Sequence, residues 1–286
     1  MRNEIKRIER LKGLRLKVKA LLEGTLLGVH RSPLHGYSSE FVEHREYSPG
    51  DDTRLIDWKV YARKEKLFTK KFSEETNTRV YFLLDSSNSM NFGNPTKFEY
   101  AKVLLLSLAY LFQQQRDAPS LFVFSDKERI FVPPSSTRVN LEKITNTLEN
   151  LEPEGGTDPF NLFLYLSEII KKRSLIFLFT DYYHRPGDFL KGIKYLKSRK
   201  NEVFSIRILS KEEFNSSKKL PFILKDLETG EEYIVNDRKL WEEIKGKMKE
   251  FELKLNEELF SSGIKNFNIY IEEPYEKNLL MIVNSL

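Results

Sequence analysis

VYFLLDSSNSM, residues 80–90, decides the fold. Its apolar run, Val80 to Leu84, has the length and character of a strand buried on both faces, as parallel sheets require. The run stops in Asp85, Ser87 and Ser89 at alternate positions, so an extended chain aims all three the same way. A second apolar run, SLIFLFTD (174–181), also stops in an acid, Asp181. SLFVFS (120–125), RIFVP (129–133) and EVFSIRIL (202–209) read as further strands. KFEYAKVLLLSLAYLFQQQ (97–115), VNLEKITNTLENL (139–151) and DFLKGIKYLKSRK (188–200) read as helices between them. Strands separated by helices predict an α/β fold: a doubly wound, mainly parallel sheet with helices on both faces. In such sheets ligands bind beyond the carboxyl ends of the strands, where Asp85 and Asp181 both fall.

The flanks read differently. Residues 36–76 carry short alternating segments and a turn at Pro49-Gly50. In RLIDWKVYAR (54–63), Ile56, Trp58, Val60 and Ala62 would share one face of a strand, with Asp57, Lys59, Tyr61 and Arg63 on the other. FILKDLETGEEYIV (222–235) reads as a hairpin turning near Thr229-Gly230. It interrupts the helix–strand rhythm, so it is expected to join the earlier strands in one small antiparallel β subdomain. The expected organisation is a basic helix at 1–28, a β subdomain from 29–77 plus 218–238, and an α/β domain from 78–217 plus 239–286. The last comprises a long helix at 239–262, a strand at 267–273 and a short terminal helix.

Composition narrows the function. The formal charge of +5 is concentrated: residues 1–19 hold eight Lys/Arg against Glu4 and Glu9, leaving 39 basic and 40 acidic residues elsewhere. A near-neutral body tells against nucleic acid as the main partner. The basic arm, with Ile5, Ile8, Leu11, Val18, Leu21 and Leu22 at roughly helical spacing, is expected to pack on its own domain with its lysines in solvent. An anionic-surface or nucleic-acid binder acting through residues 1–19 is the competing reading. No run of eighteen apolar residues occurs, so no transmembrane segment is expected. Without an apolar leader or any cysteine, the expected location is cytoplasmic, with the membrane periphery open through the arm. The four histidines, His30, His35, His44 and His184, lack metal-ligand spacing.

Serine and threonine hydroxyls are hard neutral oxygen donors, and aspartates add charge directly or through water. Together they suit Mg²⁺, or Mn²⁺ or Ca²⁺, among oxygen-preferring ions. EGGTD (154–158) supplies Thr157 from a Gly-rich loop ahead of a helix at 159–172, and FLFTD supplies Asp181. The candidate metal residues are therefore Asp85, Ser87, Ser89, Thr157 and Asp181. Such residues also cap helices and form turns, so a purely structural role competes. A calcium-binding EF-hand loop starting at Asp85 needs Gly and Glu where Met90 and Thr96 stand. A phosphoaspartyl enzyme of the haloacid dehalogenase kind needs a second acid where Ser87 stands. The G-x-S-x-G of a serine hydrolase is absent.

The five positions resemble the metal-ion-dependent adhesion site of von Willebrand factor A-type domains. There a D-x-S-x-S segment follows the first strand, a threonine comes from a central loop and an aspartate follows a later strand. The resemblance implies an A-type (Rossmann-like) fold. It also implies Ser87, Ser89 and Thr157 as direct or near-direct ligands, and Asp85 and Asp181 as partly water-bridged. The ion's open position would take a carboxylate from another protein.

The segment EFVEHREYSPGDDTRLIDWKVYARKEKLFTKKF (40–72), running into the D-x-S-x-S strand, is similar to the signature of the domain-of-unknown-function fifty-eight family. His35, where many members carry arginine, and IYIEEPYEK near the end depart from its pattern. Members are typically encoded beside a MoxR-type AAA+ ATPase. The resemblance implies a non-enzymatic adaptor or co-chaperone linking such an ATPase to a client protein in assembly or cofactor insertion. Asp51, Asp52, Arg54 and Asp57 are weak candidates for a docking face; an ion-pair network with Trp58 as core is their structural alternative. A metal-dependent hydrolase is the enzymatic rival, but no His, Lys or carboxylate dyad is placed in sequence as its general base.

Overall fold

A computed structural model of the chain describes residues 13–28, 41–47, 56–64, 66–72, 78–126, 129–157, 159–184, 186–214, 221–227 and 230–286. The elements are α1 (Leu14–Gly28), β1 (Phe41–Glu46), α2 (Trp58–Lys64), β2 (Phe68–Phe72), β3 (Arg79–Asp85), α3 (Lys97–Gln114), β4 (Ala118–Phe124) and β5 (Arg129–Val132). They continue with α4 (Arg138–Glu149), α5 (Pro159–Ile169), β6 (Leu175–Thr180), α6 (Pro186–Ser198) and β7 (Glu202–Leu209). The last are β8 (Phe222–Lys225), β9 (Glu232–Val235), α7 (Arg238–Ser261), β10 (Lys265–Tyr270) and α8 (Tyr275–Val283). They fall into two compact units, Pro33–Asn77 and the remainder, Met1–Ser32 with Thr78–Leu286.

The larger unit is built on a six-stranded sheet in the order β10-β7-β6-β3-β4-β5. All its pairings are parallel except β4 with β5. This is the doubly wound, mainly parallel arrangement of A-type domains. From β3 the chain moves to β4 and β5 on one side, then crosses back to β6, β7 and β10 on the other. The connections therefore diverge at the β3/β6 boundary, and the crevice above it is the natural ligand position.

Burial on both faces explains the unbroken apolar strands. Tyr81 and Leu83 pack with Phe122, Phe124, Leu178 and residues of α5, α6 and α7 in one core cluster. On the other face, Phe82 stacks on Phe177 at 5.3 Å, Phe177 on Phe204 at 4.7 Å, and Phe112 of α3 tilts against Phe82 at 6.2 Å. Helices α5 and α6 approach closely because Gly192 has no side chain; a Cβ there would lie 1.9 Å from the Phe163 ring. Gly192→Ala is expected to cost about 2 kcal/mol through overpacking, read as a lower urea midpoint with an unchanged slope.

Helix α1 buries Val18, Leu21 and Leu22 and packs on α3, α4 and α8. Arg15 pairs with Glu149 at 3.5 Å. From residue 14 onward the basic segment is thus a helix docked on its own body; residues 1–12 lie outside the described residues. No described helix is long and apolar enough to cross a membrane.

Two expectations change. β8 and β9 form a two-stranded sheet of their own and belong to the larger unit, not to the small β subdomain. Phe222 meets Trp241 of α7 edge-on at 5.1 Å, which anchors the hairpin to that helix. In the small unit, β1 pairs antiparallel with β2 as expected, but residues 58–64 are helical. The Asp57 carboxylate accepts from Val60 N at 3.3 Å and its carbonyl from Tyr61 N at 3.0 Å, an N-cap that starts the helix. Trp58 is 63% exposed and meets Tyr61 one turn on, so it is not a core residue. Ile56, buried, bridges to Thr69. Asp51, Asp52 and Arg54 lie outside the described residues.

Candidate metal centre

Above the β3/β6 crevice the chain ends two strands and folds one loop inward. Asp85, the last residue of β3, is 1% exposed. Its Oδ1 accepts from Ser87 N at 3.0 Å and from Thr157 Oγ1 at 3.3 Å, and its Oδ2 from Thr180 Oγ1 at 2.6 Å. Ser87 and Ser89, both buried, place their hydroxyl oxygens 3.0 Å apart. The loop carrying Thr157 is clamped through its backbone. Glu154 N donates to Ser86 O, Asn88 N to Gly155 O and Asp126 N to Gly156 O, each at 2.8 Å. Gly155 sits at φ +76°, a conformation that favours glycine.

Burial raises the Asp85 carboxyl, and the nearby Asp181 charge adds to it, against the hydrogen bonds from Thr180 and Ser87; the result is pushed up to about 6. With a folded pKa above the unfolded one, Asp85 contributes stability that is complete below about pH 4 and lost as pH rises through about 6. In chelator, Asp85→Asn is therefore expected to be more stable than the parent at pH 7.5. The advantage, on the order of 2 kcal/mol, should vanish near pH 4 in paired thermal melts.

Adjacent donors in an octahedral Mg²⁺ shell, with bonds of about 2.1 Å at right angles, lie ~3 Å apart. The Ser87–Ser89 and Thr157–Asp85 oxygens, hydrogen-bonded at 3.0 and 3.3 Å, are spaced as adjacent donors of such a shell would be, and their hard-oxygen chemistry is compatible with a divalent ion. Among the described residues no three His, Cys, Asp or Glu side chains gather to hold a metal, so the hydroxyls are indispensable to such a site.

Asp181 reaches the same crevice but is otherwise engaged. Its Oδ2 accepts from Lys97 Nζ at 2.7 Å and its Oδ1 from Tyr183 N at 3.0 Å. Lys97, the first residue of α3, is fully buried and also donates to Glu213 Oε1 at 2.7 Å. Burial opposes its charge, but Asp181 and Glu213 outweigh burial and hold its pKa above the ordinary value. Tyr183 donates its hydroxyl to Glu213 Oε2 at 3.1 Å and sets its ring 4.7 Å from the ammonium. Between Asp181 and Tyr183, Tyr182 turns the chain at φ +62°, its hydroxyl on Ser205 at 2.8 Å. A left-handed non-glycine residue is strained, and here it aims its two neighbours into the crevice. Arg207, buried in β7, supports the turn by donating to Asp181 O at 3.3 Å.

The structure thus brings Asp85, Ser87, Ser89 and Thr157 together with Asp181 nearby, and adds Thr180, Lys97 and Glu213, which the sequence did not point to. One signal for Lys97 was available: a lysine in the first turn of a helix opposes the helix dipole and calls for nearby acids.

The sheet order and its flanking helices define a doubly wound α/β protein of A-type architecture. The chain belongs to the family described as Protein of unknown function DUF58, which matches residues 43–250. It is 24% identical over 225 residues to Uncharacterized protein Rv1480 of Mycobacterium tuberculosis (strain ATCC 25618 / H37Rv), covering 77% of this chain and 70% of that one. A shorter similarity, 37% over 59 residues, links it to Uncharacterized protein YeaD of Bacillus subtilis (strain 168), over 20% of this chain and 15% of that one. Similar solved structures include the conserved hypothetical protein BatB from Bacteroides thetaiotaomicron, at 16% identity and TM-score 0.49 over 73% of this chain and 100% of that one. The SpRpn10 VWA domain matches at 12% identity and TM-score 0.46, over 72% and 94%.

Proposed function

We propose that the chain is a non-enzymatic protein-interaction module whose docking depends on a divalent ion, Mg²⁺ in the first instance. Asp85, Ser87, Ser89 and Thr157 would hold the ion. The reading rests on one observation: the buried Asp85 carboxylate and the Ser87, Ser89 and Thr157 hydroxyls cluster at the switch point of the sheet. A divalent ion bound there keeps more of its charge than one ringed by carboxylates, and so offers an open position to an incoming acid. The residues supply what such binding needs. The clamped 154–157 loop fixes Thr157, and Thr180 orients Asp85. A docking role is favoured over hydrolysis because Lys97, the basic side chain on Asp181, is held charged by two carboxylates, the opposite of what a general base requires.

The partner we assign is a MoxR-type AAA+ ATPase, with a client protein presenting the acidic side chain. Size-exclusion chromatography of the chain with a purified MoxR-type ATPase from the same genome tests this. Co-elution in Mg²⁺ that is lost in chelator and in Asp85→Ala is expected. Absence of a complex, or a complex indifferent to both changes, would overturn the reading.

A further inference from the structure

The crevice holds two buried aspartates with different partners. Asp85 faces the hydroxyls, whereas Asp181 already carries a cation of its own, the Lys97 ammonium. That ammonium is not adventitious. It is fully buried, receives a second carboxylate from Glu213 at 2.7 Å and lies over the Tyr183 ring. Glu213 in turn is fixed by Ser210 N at 3.1 Å as well as by the Tyr183 hydroxyl. The arrangement is a built ammonium site, tied to a helix start and to the segment after β7. Asp181 directly follows Thr180, whose hydroxyl donates to Asp85 Oδ2 at 2.6 Å, so the two aspartates end neighbouring strands of the sheet.

We propose that Lys97 is an internal counter-cation that competes with the divalent ion for Asp181, keeping that carboxylate out of the ion's shell and the site's affinity low. The inference rests on the metal reading above. It follows from charge: two cations sharing one carboxylate in a buried crevice repel each other, and each weakens the other's hold on it. A weak ion site with one direct carboxylate is completed by the acid a partner brings, so ion and partner bind together and each raises the other's affinity. Lys97 is thereby a positioning residue, acting on the ion through Asp181.

Isothermal titration of Mg²⁺ into wild type, Lys97→Met, Lys97→Arg, Lys97→Met/Asp181→Asn and Asp85→Ala tests it, with circular dichroism confirming the fold of each. A unit charge a few ångströms away at an effective dielectric of about 20 changes an affinity by at least a factor of ten. Lys97→Met is therefore expected to bind Mg²⁺ about tenfold tighter or more. Binding measurable in Lys97→Met but too weak to measure in wild type is the same result. Lys97→Arg, which keeps the charge, should stay nearer to wild type, and adding Asp181→Asn to Lys97→Met should erase the gain. If Lys97→Met does not fold, Lys97→Met/Glu213→Gln carries the same expectation with no net change of charge. A folded Lys97→Met or double variant binding no more tightly than wild type would overturn the inference while leaving the metal site standing. Undiminished binding in Asp85→Ala would overturn both.

Discussion

Mg²⁺ titrated into Asp85→Ala is expected to produce no binding heat under conditions where the wild-type chain gives a one-site isotherm. Among the described residues, Asp85 is the carboxylate that accepts from both Ser87 N and Thr157 Oγ1. Hydroxyls alone cannot replace the hydration of a small divalent ion, which surrenders water reluctantly. The substitution should also leave the fold intact. Alanine removes a buried anion that burial and Asp181 both penalise, and the backbone bond from Ser86 N to Phe124 O at 3.0 Å still ends the strand. Loss of binding in a variant that circular dichroism shows to be folded therefore separates a ligand from a merely structural residue. Ser87→Ala and Ser89→Ala, each removing one neutral donor, are expected to weaken binding without abolishing it.

Lys97→Met should be the most destabilising single substitution in the crevice, costing about 3–5 kcal/mol in urea denaturation without added metal. The methionine fills the volume, but Asp181 and Glu213 lose the ammonium that each contacts at 2.7 Å. Buried carboxylates without a counter-charge are costly, and Tyr183, donating to Glu213, cannot supply one. Neutralising one acid in Lys97→Met/Glu213→Gln should recover part of the loss. Added Mg²⁺ should stabilise Lys97→Met more than it stabilises wild type, since the ion then has both aspartates to itself. An equal response in the two proteins would mean that Lys97 does not bear on the ion.

The residues that proved legible are those whose environment is set locally. Val80–Leu84 and Leu175–Phe179 lie between helices on both sides, so no polar residue interrupts their pattern and their type follows from composition. Asp85, Ser87 and Ser89 follow from the first of these strands, and Thr157 from the Gly-rich loop beside it. What sequence leaves open is pairing across long separations. Lys97 meets Asp181 84 residues on and Glu213 116 residues on; its place at a helix start calls for acids, but nothing in the sequence says which. WKVYARK failed for a different reason. Its apolar–polar alternation suits a strand, but seven residues accommodate a helix equally, and the deciding group is the Asp57 cap one residue earlier. The hairpin at 222–235 was recognised, but its anchor is Trp241, six residues beyond it, and not the earlier strands.

Anomalous diffraction from crystals soaked in Mn²⁺ examines the central claim most directly. The account predicts one peak about 2.0–2.3 Å from the Ser87 and Ser89 hydroxyl oxygens, with Asp85 and Thr157 beside it and the Lys97 ammonium still on Asp181. A map with no peak between those hydroxyls, or with manganese only on unrelated surface carboxylates, would contradict it.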